Sequence, residues 1–147
     1  MKKKLTGLFV ALLLLSTVTF ATDGITPSEQ LQKEFNRSFS QSTEVKWEKV
    51  ADYYKASFLQ NGQYLIVYFD AFNNIESVSR NISINMLPLV LQKSLEDKAS
   101  ETTWITDCFE LSVENGTEYF VVMENADQKT IYQAGDNSWE VYKTTDK

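Results

Sequence analysis

Few residues in this chain have the chemistry for catalysis. Cysteine occurs once, at Cys108, and histidine is absent. A thiol nucleophile would therefore lack its usual activating base, and no intramolecular disulfide can form. Cys108 is expected to be a half-buried strand residue. The same composition removes His-dependent triads, His metal sites and cysteine clusters. Carboxylates remain, with Asp70 and Glu76 flanking one turn-like stretch and Glu124 and Asp127 another. No carboxylate spacing rule singles out either pair for acid–base work. The run Asp70-Ala71-Phe72-Asn73-Asn74-Ile75-Glu76 also lacks the alternating oxygen ligands and central glycine of an EF-hand calcium loop. Turn formation and solubility are the expected roles of these acids. Five scattered glycines supply no phosphate-binding loop. The chain thus reads as a non-enzyme, with no cofactor and no metal.

What remains is aromatic: seven Tyr, nine Phe and three Trp. Most Phe residues fall on positions expected in the core, whereas Tyr53, Tyr64 and Tyr68 do not. Extended by Trp47, they form the candidate partner-binding set, because tyrosine offers large area and a polar tip at small entropic cost. The plainer alternative is that Tyr is a good strand residue that tolerates half exposure.

These rings must be positioned by strands, and Asn61-Gly62 is the strongest local signal for them. Asn-Gly between apolar runs suits a type I′ hairpin turn, whose two central residues need positive φ. A two-residue loop pairs Phe58 with Leu65, Ala56 with Val67 and Tyr54 with Phe69. One face then collects Phe58, Ala56, Tyr54, Leu65, Val67 and Phe69; the other collects Leu59, Ser57, Lys55, Tyr64, Ile66 and Tyr68. The first face needs a helix over it, and the second is amphipathic. A helix from Pro27 to Phe39 answers that need. Thr26 and Glu29 form a capping box, and Leu31, Phe35 and Phe39 recur at spacing four. Strands are expected at Val45–Val50 and Ile75–Ile82.

From Asn85 the pattern begins again. Asn85 caps a second helix with Pro88 inside its first turn and a stripe of Leu87, Val90, Leu91 and Leu95. Glu114-Asn115-Gly116-Thr117 repeats the Asn-Gly turn, pairing Leu111 with Phe120 and Phe109 with Val122, while Cys108, Glu110 and Ser112 face the other way. Leu87, Leu91 and Leu95 are expected over Phe120 and Val122. Ile131–Lys143 supplies a last strand or a terminal hairpin around Gly135-Asp136. The fold class is therefore α+β, a tandem repeat of a helix followed by a roughly four-stranded antiparallel sheet, with repeats at 22–84 and 85–147 in one compact unit.

Residues 1–21 have three lysines, an apolar core from Leu8 to Leu15 and Ala21 where a signal peptidase could cut. This is the pattern of a secretory signal peptide, and the apolar run is short of the roughly 20 residues that span a bilayer. Its removal takes three bases, leaving 11 against 20 acids, so the formal charge moves from −6 to −9. Such a surface disfavours nucleic acid and anionic membranes. A periplasmic or extracellular protein with no stable membrane anchor is expected, its partner an envelope protein if it has one.

Val45-Lys46-Trp47-Glu48 before a strand, the Asn61-Gly62 hairpin, Val67-Tyr68-Phe69-Asp70-Ala71 before a turn, and Asn85 to Pro88 together resemble the bacterial PepSY-like proteins, also described as β-lactamase-inhibitor-like (BLIP-like). The resemblance covers nearly all of the chain after residue 21. It implies a small, exported, non-enzymatic domain acting as an inhibitor or binding module. The family's usual Asp-Ala-Asp-Gly turn is Asp70-Ala71-Phe72-Asn73 here and Asn125-Ala126-Asp127-Gln128 in the second copy. Both lack Gly. Asn73 can adopt a left-handed conformation at modest cost, Gln128 less readily.

Overall fold

The computed structural model describes residues 24–98 and 102–147. The expected signal peptide, 1–21, lies outside the described residues. The fold is α+β. Helix α1 (Glu29–Ser38) precedes β1 (Thr43–Val50), β2 (Tyr53–Gln60), β3 (Gln63–Phe69) and β4 (Ile75–Asn81). A 3-10 turn at Ile84–Met86 leads into α2 (Leu89–Glu96), followed by β5 (Trp104–Val113), β6 (Gly116–Glu124), β7 (Gln128–Ala134) and β8 (Trp139–Asp146). The eight antiparallel strands lie in chain order. The chain divides into two compact units, one ending at Ser77 and the other spanning Val78–Lys147.

In the first unit α1 starts two residues later than the capping box predicts. Ser28 is the N-cap, its backbone extended and its Oγ accepting from the Leu31 amide at 3.2 Å. Thr26 and Pro27 are left as the approach to the helix. The β2–β3 register is the one Asn61-Gly62 dictates, with Phe58 opposite Leu65 and Tyr54 opposite Phe69. Both loop residues take positive φ, 54° at Asn61 and 75° at Gly62, as a type I′ turn requires. Helix α1 covers the expected face. Phe35 meets Phe58 edge-on at 5.0 Å between centroids, Phe39 lies 4.9 Å from Phe58, and Leu31, Phe35, Ala56, Phe58, Val67 and Phe69 are buried. The β1–β2 register adds Trp47 to this face by setting it opposite Ala56. Its ring packs 5.2 Å from Phe35 and 6.0 Å from Phe69. Strand β1 carries a bulge between Thr43 and Lys46, with Glu44 at φ 55°, and its Trp47 carbonyl accepts from the Ile25 amide at 3.2 Å.

The second unit departs from expectation in three places. Helix α2 begins at Leu89 with Pro88 as its N-cap, not at Asn85. Proline disfavours the helical region for the residue before it, and Leu87 is accordingly extended, with ψ 153°. The β5–β6 hairpin turns on Glu114-Asn115, pairing Val113 with Gly116, Leu111 with Glu118 and Phe109 with Phe120. That slides the pairing by two residues relative to a loop of Asn115-Gly116, so each side chain keeps its face. The helix lies over the other face. Leu87, Leu91 and Leu95 pack with Cys108, Val121, Met123 and Trp139, not over Phe120 and Val122. Trp139 Nε1 donates to the Leu91 carbonyl at 3.0 Å, a buried bond that ties α2 to this face. Phe109 and Phe120, on the opposite face, stack at 5.1 Å and are also buried. β7 and β8 form the terminal hairpin, closed by the Gly135 amide donating to the Ser138 carbonyl at 2.8 Å.

Candidate functional surfaces

The tyrosine set does not assemble into an open face. Across β1, β2 and β3, Glu48, Lys55 and Tyr68 occupy one row. Lys55 Nζ meets Glu48 Oε2 at 2.7 Å, and both Lys55 and Tyr68 are buried. Burial, reinforced by Glu48, pushes the Tyr68 phenol above its ordinary range. A fully buried Tyr68 cannot meet a partner. Trp47 fails for a different reason, since its register places it on the α1 side among Phe rings. Tyr53 is half-buried beside the β1–β2 turn, its phenol raised by burial and by Glu76, Asp52 and Asp70. Tyr64 alone of the four is exposed, at 54%.

The residues with reactive chemistry have structural occupations. Cys108 is buried in the α2 core, where burial and the neighbouring Asp107 push its thiol up to about 11. The Asp70 carboxylate organises its turn. Oδ1 accepts from the Phe72 and Asn74 amides at 2.8 Å each, and Oδ2 accepts from Asn74 Nδ2 at 2.9 Å. Partial desolvation opposes these bonds, but they prevail and hold its pKa below the usual value. Asn73 takes the left-handed conformation, φ 66°. In the second unit Asn125 does the corresponding work through a carboxamide, accepting from the Asp127 and Gln128 amides at 2.9 and 2.7 Å. That turn needs no positive φ at Gln128. Glu124 is paired with Lys147 at 2.7 Å and Lys129 at 3.5 Å, which lower its pKa against a small desolvation cost.

Two surface features carry no such structural duty. Ahead of and within the first turn of α2, Ile84, Met86, Leu89 and Val90 are all exposed, Leu89 at 82%. The sequence held a sign of this, because Met86 and Leu89 are apolar yet lie off the stripe of Leu87, Val90, Leu91 and Leu95. Val90, expected in that stripe, is itself exposed, since α2 turns Leu91 and Leu95 to the sheet. In the first unit, a groove of about 400 Å³ opens between α1 and the Asp70 turn, lined by Gln30, Glu34, Arg37, Ser38, Phe72 and Asn73 among others. Phe72 stands 81% exposed at that turn.

No protein-family model matches the chain, and no curated protein sequence matches it. Solved structures do match. A BLIP-like protein from Bacteroides fragilis shares 24% identity with a TM-score of 0.68, over 84% of this chain and 89% of that one. A DUF2874 family protein from Bacteroides ovatus gives 16% identity and a TM-score of 0.72, covering 84% and 89%. A predicted periplasmic protein from Bacteroides eggerthii gives 14% identity and a TM-score of 0.72, covering 84% and 90%. These neighbours agree with the resemblance read from the sequence, and what they share with this chain is its α+β fold.

Proposed function

We propose that this is an exported, periplasmic, non-enzymatic protein-binding module, built as a tandem repeat of a helix and four strands, that engages an envelope protein through the apolar segment entering α2. The observation that carries the reading is the exposure of Ile84, Met86, Leu89 and Val90 within seven residues. Contiguous exposed apolar side chains lower solubility and commonly mark interaction sites. The signal-peptide pattern and the neighbour described as periplasmic support the location. The helix-then-four-strand order, met twice, supports the repeat. Tyr64, exposed in the first unit, is a second candidate anchor.

The test is photo-crosslinking in the exporting cell, with a benzophenone amino acid at Leu89, at Tyr64, and at exposed Lys33 on α1 as control. A discrete adduct at Leu89 that disappears in Met86→Ser/Val90→Ser is expected. Equal labelling at all three positions, or none, favours a structural envelope protein with no discrete site. Mass spectrometry of the exported product is expected to find Thr22 at its start.

A further inference from the structure

We propose that the groove between α1 and the Asp70 turn is a binding site for a neutral saccharide, separate from the protein-docking segment of the second unit. Three features of the groove converge on that ligand class. Its volume, about 400 Å³, falls in the range of small-molecule sites. Its only charged lining residues, Glu34 and Arg37, form an ion pair with each other. The pair is neutral as a whole and offers a charged ligand little net attraction, so the site suits an uncharged one. The other polar lining groups are the Gln30, Asn73 and Asn74 carboxamides, the last with its Nδ2 donating to Asp70, and the Ser38 hydroxyl. Carboxamides and hydroxyls both donate and accept, and a ring of sugar hydroxyls demands that mixture.

Phe72 supplies the apolar wall. Its ring is exposed at 81%, yet its backbone is fixed, because Asp70 accepts from the amides of Phe72 and Asn74. A pyranose presents one face of C–H groups that stacks on an aromatic ring, and with the backbone already fixed only the side-chain torsions of Phe72 are left to order when it does so. The same hydrogen bonds argue against an extended peptide. Peptide capture by strand pairing needs free main-chain groups, and the Phe72 and Asn74 amides are already committed to Asp70.

The experiment is an amide-resolved NMR titration of the exported protein with maltotriose, cellotriose and chitotriose, and with N-acetyl-trialanine-amide as the neutral peptide probe. At least one trisaccharide is expected to give saturable shifts at Gln30, Arg37 and Phe72 to Asn74, weakened tenfold or more by Phe72→Ala at unchanged thermal midpoint. Should Phe72→Ala disturb folding, Gln30→Ala on exposed α1 makes the same test. Absence of saccharide shifts at millimolar concentration, equal shifts with the peptide, or undiminished binding by a folded variant would each overturn the proposal. Crosslinking at Leu89 is independent of all these outcomes, so the two readings fail separately.

Discussion

In the first unit the helix and the aromatic residues share a face: Phe35 and Phe39 of α1 meet Trp47 and Phe58. In the second the buried phenylalanines lie on the face away from the helix, which packs with Trp139 instead. Helix α2 brings leucines to Cys108, Val121 and Met123, while Phe109, Phe120 and Tyr142 cluster on the other side of the sheet. Both hairpins are nevertheless buried on both faces, with Lys55 and Tyr68 away from α1 and Phe120 and Leu111 away from α2. The lesson is that period-two patterning identifies which side chains share a face. It does not say which face a helix takes when neither is exposed.

The largest expected effects test that equivalence of burial. Phe58→Ala beneath α1 and Phe120→Ala on the face away from α2 should each cost about 3–5 kcal/mol by denaturant unfolding, the usual range for emptying a buried aromatic site. A loss below about 1 kcal/mol at Phe120 alone would mean that its face is open and that the two units differ in kind.

A second, smaller contrast is in alkali. Cys108 is held neutral beneath α2, its pKa raised from 9.0 to about 11, and the first unit has no cysteine. The unfolded thiol ionises first, so the stability it confers is complete below pH 9 and is lost as pH rises through about 11. Unfolding scans between those values should show a fall in wild type that is reduced in Cys108→Ala. Thiol labelling at pH 8 should proceed only as fast as the unit opens. Rapid labelling of the folded protein would sink the assignment.

The smallest effect separates the two turns. Asp70 ties the first by a carboxylate with a lowered pKa, so its contribution is present above the unfolded value and lost as pH falls through the folded one. Asn125 ties the second without titrating. Below pH 4 the Phe72 and Asn74 amides should shift together in NMR spectra, and Asp70→Asn should abolish that step. A step unchanged in Asp70→Asn would assign it to another group.

The first hairpin is legible because its loop is the Asn61-Gly62 pair that the type I′ signal names, and that loop fixes every pair after it. The second slipped because Glu114-Asn115 and Asn115-Gly116 both make two-residue loops, and side-chain alternation is blind to a two-residue slide. The side taken by α2 was hidden for a related reason: Tyr119-Phe120-Val121-Val122-Met123 is apolar on both faces. The sequence places Tyr68 in the candidate binding set because its ring suits either environment, and the structure buries it in a row with Glu48 and Lys55. At Asn73 the sequence shows only that the left-handed conformation is accessible, since asparagine tolerates it better than most residues, and the turn takes it.

The three tryptophans give the molecule a built-in optical division. Trp47 is sealed against Phe35 in the first unit, Trp139 is sealed beneath α2, and half-exposed Trp104 has the Lys147 ammonium 5.3 Å from its ring centre. Emission from the two sealed indoles is blue relative to water and reddens as each unit opens. Trp47→Phe leaves only reporters of the second unit, and their midpoint set against the parent's shows whether the units melt as one cooperative body or in succession.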